Sequence, residues 1–244
     1  MNYQARKALV LSFMLGLCAG SQAEPVREFT ADYRAKYGAF QANAHRELRQ
    51  DGENAYLMTS SIALTLLGKN LSSIHEQSSL EVTDANTSLR PLAYHYRQQG
   101  LGKRQRSIQF DWHLNQAIAA EGKHEAILPL APGYTDNLTA YLEIARQLEL
   151  GRKDIHYTGI EKGEVKAFHF QVEDEVVLPT PLGNINTIQL TKIRDEKSNR
   201  QTSLWLAPEW EYLLVKLVQS EPGEKRLQLE LTSANIDGKP LQAD

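Results

Sequence analysis

Apolar and polar residues alternate with a period of two through much of this chain, and that pattern leaves little choice of architecture. Phe29, Ala31, Tyr33, Ala35 and Tyr37 alternate with Thr30, Asp32, Arg34 and Lys36. Ile108, Phe110 and Trp112 alternate with Ser107, Gln109 and Asp111, and Leu227, Leu229 and Leu231 with Gln228, Glu230 and Thr232. Successive side chains of a strand point to opposite faces, so these runs are half-buried strands with one wet side. Polar turn signals lie between such runs: Asp51-Gly52-Glu53-Asn54, Asp84-Ala85-Asn86, Glu161-Lys162-Gly163 and Pro222-Gly223. Short turns join antiparallel neighbours, whereas parallel strands need long crossovers. The expected fold is mainly β, built on a large antiparallel meander sheet.

One segment has a helical period instead. After Pro132-Gly133, Asp136 is placed as an N-cap, and Leu138, Tyr141, Leu142, Ala145 and Leu148 follow at helical spacing. Asn137, Glu143, Arg146 and Gln147 form the polar side, and Gly151 is placed to end the helix in a left-handed cap. A single amphipathic helix near 136–150 must bury its stripe on the sheet. Residues 24–244 therefore form one β-rich domain. Tyr212 to Val218 is apolar on both faces, as in a central strand. Leu64 to Leu67 is apolar beside a turn and has two readings: a strand end tucked into the core, or a flap over an apolar cavity. Trp205 faces away from Leu204 and Leu206, either beneath the helix or into a pocket.

Residues 1–23 read as a secretory leader: Arg6 and Lys7, an apolar run from Ala8 to Gly20, then small residues at Ser21-Gln22-Ala23. Cleavage is expected between Ala23 and Glu24. The run is too short for a stable membrane-spanning helix, which needs ~20 apolar residues. Leu17 stands where a lipoprotein signal wants a small residue before Cys18, so the expected product is soluble, with no thiol, disulfide or thiolate metal site. Losing Arg6 and Lys7 takes the formal charge from −3 to −5. A mildly acidic chain is a poor nucleic-acid binder, because that binding rests on basic patches. The one basic cluster contains Lys103, Arg104 and Arg106. It is either a solvated hairpin end or a contact to an anionic surface such as lipid headgroups.

The chain carries no His-Glu-x-x-His, no Gly-x-Ser-x-Gly elbow and no phosphate-binding glycine loop. Its seven histidines include no pair four residues apart. His95 and His169 fall in strand-like runs, where convergence in space leaves no local signature. Glu173-Asp174-Glu175 reads as a solvated turn or bulge, since neighbours in a strand point apart. Asn86 and Asn137 open sequon-like triplets, which are too short to carry weight. Pro179 and Pro181 cannot donate ladder bonds, so the chain is expected to leave the sheet there and turn at Gly183-Asn184. No catalytic residue, metal ligand or cofactor is assigned.

Five segments in order then carry a resemblance: Tyr33-Arg34-Ala35-Lys36-Tyr37, Leu89-Arg90-Pro91-Leu92-Ala93-Tyr94, Phe110-Asp111-Trp112, Leu178-Pro179-Thr180-Pro181-Leu182-Gly183-Asn184 and Ser203-Leu204-Trp205-Leu206-Ala207-Pro208. Together they resemble the exported bacterial domain-of-unknown-function family 3108 (DUF3108). The resemblance implies a Gram-negative, periplasmic setting and brings no catalytic residue. The C-terminal third is also similar to the closing hairpins of LolA-like periplasmic lipoprotein carriers, which implies an open barrel or half-barrel around an apolar cavity. With a single helix, this chain departs from those carriers. The expectation is a non-enzymatic envelope protein binding an apolar or amphipathic, lipid-like ligand at Leu64, Leu66, Leu67, Tyr141, Leu142 and Trp205. The alternative is a periplasmic scaffold whose exposed sheet edges recruit protein partners. Neither reading sets an oligomeric state.

Overall fold

The computed structural model describes residues 26–37, 40–67, 69–83, 88–193, 199–222 and 227–243. The leader with its Ala23–Glu24 junction, and Asn86 and Thr87 of the first sequon-like triplet, lie outside these residues.

Eight strands come first: β1 (Phe29–Tyr37), β2 (Phe40–Gln50), β3 (Ala55–Leu66), β4 (Lys69–Thr83), β5 (Ser88–Gly100), β6 (Arg104–Asp111), β7 (Gln116–Glu121) and β8 (His124–Pro129). A two-residue strand β9 (Tyr134–Thr135) leads into the helix α1 (Thr139–Glu149). Then follow β10 (Asp154–Glu161), β11 (Glu164–Thr180), β12 (Gly183–Lys192), β13 (Gln201–Ala207), β14 (Leu213–Ser220), β15 (Leu227–Ile236) and a short β16 (Lys239–Pro240).

Among the described residues these strands form one sheet in the order β8-β7-β6-β5-β4-β3-β2-β1-β15-β14-β13-β12-β11-β10-β9, with β16 appended to β15. All pairings are antiparallel except the short parallel contact of β9 with β10. Two meanders are thus sewn together along β1 and β15. The free edges, β8 and β9, are separated in sequence only by residues 130–133. At ~3.6 Å per extended residue, that connection holds the two edges within about 18 Å of each other. The sheet must therefore curl, although it does not close.

The alternation read from β1 is the burial observed: Phe29, Ala31, Tyr33 and Ala35 are buried, while Asp32 and Arg34 are exposed. In β15 the period breaks once. Asp32 pairs with Ser233 and Tyr33 with Leu231, leaving Thr232 as a bulge whose hydroxyl donates to Asp32 O at 3.0 Å. Leu231, Ala234 and Ile236 consequently all stay buried. Glu173 and Asp174 lie at a second register shift in β11, in agreement with the bulge reading. The core is formed on the concave face by residues such as Leu48, Met58, Leu80, Ile155, Leu190 and Leu206.

Pro179 corrects one expectation, because β11 continues through it and Pro179 pairs with Asn184. The reason lies in strand pairing: β10 covers β11 only as far as Gln171, so the far half of β11 is a sheet edge. An edge tolerates a residue that cannot donate a ladder bond. The turn then follows at Pro181-Leu182, with Gly183 at φ 109° and a Cβ there only 2.8 Å from Ala243 O.

Helix α1 ends as its sequence predicts. Asp136 Oδ1 accepts from the Leu138 and Thr139 N–H groups at 2.8 and 3.0 Å. Thr139 Oγ1 accepts from Asp136 N–H at 2.9 Å, completing a reciprocal cap. At the other end Gly151 has φ 72°, its N–H donates to Leu148 O, and Arg152 N–H donates to Gln147 O. That bond pair is a Schellman cap.

Candidate functional site

Helix α1 does not lie on the outside of the sheet. Ser78 in β4 donates to Asp136 Oδ2 at 2.6 Å, and Tyr141 donates its hydroxyl to Tyr212 O at 3.0 Å. These two bonds tie the helix to both meanders and hold it in the concavity. Asp136 is 1 % exposed, and burial raises its carboxyl pKa above the usual range, against the opposing pull of Ser78 and the Thr139 and Leu138 N–H groups.

A partly open cavity of about 360 Å³ remains between α1 and β10–β14. Ala140, Tyr141 and Ile144 form its helix side, and Leu204, Leu214 and Leu217 an aliphatic wall. Tyr157, Phe168 and Phe170 make an aromatic wall, with the Tyr157 and Phe168 rings stacked at 4.8 Å. Charged groups also line it: Arg46, Asp136, Glu161, Lys192 and Arg200. Arg46 enters from β2 and sits 5.5 Å over the Tyr141 ring; Lys192 sits 4.5 Å over the Phe168 ring. Nearby, the Tyr33 hydroxyl is buried without a hydrogen-bond partner among the described residues. Burial pushes its pKa up to about 12, although the Arg46 charge pulls the other way. A smaller cavity of about 110 Å³ lies on the other flank of the helix, between Phe29, Leu48, Leu142, Trp210 and Leu213. Tyr141 lines both.

The expected site residues divide accordingly. Tyr141 and Leu142 line the helix-side cavities. Leu64, Leu66, Leu67 and Trp205 line neither of them, which corrects the expected grouping. Leu64 and Leu66 share a strand face with the buried Tyr56 and Met58 but run out to the rim, where Leu66 is 40 % exposed. Leu67 is in the hairpin turn itself at φ 50° and is 95 % exposed. The run is thus outside the buried core and away from both cavities. Trp205 pairs with Lys216, whose amine sits 5.5 Å over its ring on the convex face. Leu204, one residue earlier, is the side chain that faces the cavity.

The basic cluster also separates. Arg104 and Arg106 share a strand face with buried Ile108 and Phe110, and both pair with Glu121, at 3.2 and 3.1 Å. Arg106 lies 5.0 Å over the Tyr96 ring. Strand parity turns these arginines toward the concave side, leaving Lys103 at the exposed hairpin end.

Two constellations have no local signature. On the convex face Asp32 accepts from Ser233 Oγ at 2.8 Å and contacts His45 Nδ1 at 2.8 Å. The carboxylate lies between the other two groups, whereas a nucleophilic triad needs the imidazole in the middle. The His45 contact, helped by Ser233, holds the Asp32 pKa below the usual range. The second group, Asp154, His156 and His169, joins neighbouring strands β10 and β11. His169 thus converges with His156, not with His95.

A curled, unclosed antiparallel sheet with a helix in its concavity defines a β-barrel-like class of fold. A solved β-barrel-like protein of a domain of unknown function, DUF1849, from Brucella abortus shares it: TM-score 0.57 and 10 % identity over 87 % of this chain and 99 % of that one. The family model "Protein of unknown function (DUF3108)" matches residues 32–231, and the chain belongs to that family. Comparison with curated proteins finds no match.

Proposed function

We propose that the protein is a non-enzymatic, exported protein of the periplasm that binds a small amphipathic ligand in its concavity. The observation that carries this reading is the cavity of about 360 Å³, which combines aromatic and aliphatic walls with a lining in which three cations, Arg46, Lys192 and Arg200, outnumber the acids Asp136 and Glu161. Ligand pockets span ~300–1,000 Å³ and combine apolar walls with placed polar groups; the charged share here favours a ligand with an anionic head over a wholly apolar one. The volume is at the lower end, which suits a single-chain amphiphile better than a lipid with several acyl chains. Its anionic head would lie toward Arg46, where the low surrounding dielectric strengthens the attraction. The leader-like residues 1–23 support export.

A fluorescent fatty acid with a free carboxylate is the direct probe. Saturable uptake at one probe per chain, weakened about tenfold or more by Arg46→Leu, is the expected result. No uptake by delipidated protein would contradict it.

The β8 edge favours a second reading, a scaffold for protein partners. No described strand lies beyond β8, and Ile127 on it is 67 % exposed. Such an edge can accept an added strand. A specific cross-linked partner that is lost with Ile127→Lys would favour this reading; retention of the cross-link in that variant would count against it.

A further inference from the structure

We propose that Asp154, His156 and His169 form a binding site for a borderline divalent transition-metal ion such as Zn²⁺ or Cu²⁺, on the convex face and separate from the interior cavity. Among the described residues, they are the one group of three such side chains whose ligand atoms all lie within 4.8 Å of one another. The register explains the convergence. His156 and His169 are direct partners across β10 and β11, and Asp154 is two residues from His156 on the same strand face. The imidazole rings are stacked with centroids 4.0 Å apart and planes 18° apart. His169 Nε2 lies 3.3 Å from Asp154 Oδ1.

The scaffold beneath these side chains is rigid. Ile155 and Phe170, the partners between Asp154 and His156 on one strand and beside His169 on the other, point to the opposite face and are buried. The Gln147 side chain of α1 holds the His156 backbone twice: its Nε2 donates to His156 O at 2.8 Å, and its Oε1 accepts from His156 N–H at 3.2 Å. The His169 carbonyl accepts from Ile193 N–H at 2.9 Å. With the backbone fixed on both strands, only side-chain rotation is needed. Zn–N bonds of ~2.0–2.1 Å in a tetrahedron put neighbouring ligand atoms roughly 3.3 Å apart, a small closure from the observed spacing.

The donor set defines the ion class. Two imidazole nitrogens and one carboxylate suit zinc and copper, whereas calcium and magnesium prefer oxygen shells. Three protein ligands on an exposed face leave further positions for water. Stability order favours Cu²⁺ over Zn²⁺.

The test uses the intact chain without a histidine tag. Calorimetric titration with Zn²⁺ should give one site per chain, and electron paramagnetic resonance of the one-to-one Cu²⁺ complex should show coupling to two imidazole nitrogens. His156→Ala and His169→Ala should each remove one nitrogen from that spectrum and weaken Zn²⁺ binding about tenfold or more; Asp154→Asn should keep both nitrogens and bind Zn²⁺ more weakly. The resonance readout on the unaltered chain stands even where a variant folds poorly. A Cu²⁺ spectrum without two-nitrogen coupling overturns the assignment. So does undiminished Zn²⁺ binding by the doubly substituted His156→Ala, His169→Ala protein, or unchanged affinity in Asp154→Asn.

Discussion

Leu66, Leu67 and Leu204 are all leucines in strand-and-turn sequence, yet the structure gives them different weights. A charge at exposed Leu67 meets water, so Leu67→Asp should shift stability by no more than about 0.5 kcal/mol. Leu204→Asp places an uncompensated carboxylate against the cavity wall and should cost roughly several kcal/mol; urea unfolding separates the two. Asp136 is the complementary case, a buried carboxylate used as a cap. Asp136→Ala should cost about 2 kcal/mol, from the lost cap and the orphaned Ser78 hydroxyl. Burial raises its pKa, so the folded state binds the proton more tightly than the unfolded chain. Stability from this group is therefore fully present below the ordinary carboxylate range and falls as pH rises through it toward the raised native value. Asp136→Asn keeps the cap acceptor and should remove that slope, a difference visible in unfolding midpoints across acidic pH. Parity made the inward turn of Arg104 and Arg106 legible from Ile108 and Phe110. For Trp205 parity alone was insufficient, because Leu204 and Trp205 sit in a strand apolar on both faces and only the direction of curl decides which face is inside.

The elements follow their local chemistry closely where that chemistry is self-contained. The Asp136 cap and the Gly151 stop both come from bonds within a few residues, so both could be read from the sequence. At Gly151 the φ of 72° has no steric obstacle around it, so Gly151→Ala should cost about 1 kcal/mol from backbone strain alone. A fall in thermal midpoint of a few degrees, without loss of far-ultraviolet helix signal, is the expected result. Pro179 shows the limit of local reading. Its effect depends on whether a neighbour strand lies on its far side, and β10 stops at the rung of Gln171. The bulge at Thr232 likewise corrects the face of the C-terminal strand, and it is defined by the partner β1, some two hundred residues earlier in the chain.

At the scale of the whole molecule, the defining contact is the pairing of β1 with β15, which joins two meanders into one sheet. Sequential hairpins are legible in alternation and turns; this long-range pairing is not, because many strands offer the same pattern. The short connection from β8 to β9 then curls the sheet, and α1 fills part of the concavity. What remains is the cavity between α1 and β10–β14, lined by Arg46 and Tyr141 from outside those strands. Its residues come from six strands, the helix and adjoining loops, so this cavity was visible in sequence only through Tyr141, and the smaller one through Tyr141 and Leu142. The most direct test is native mass spectrometry of the protein purified gently from its own cells, beside the cavity-filling variant Leu217→Trp. An extra mass that is removed by organic extraction and absent from the folded variant is the predicted result. A bare mass for the unaltered protein, or the same extra mass on both, would contradict a ligand held in the concavity.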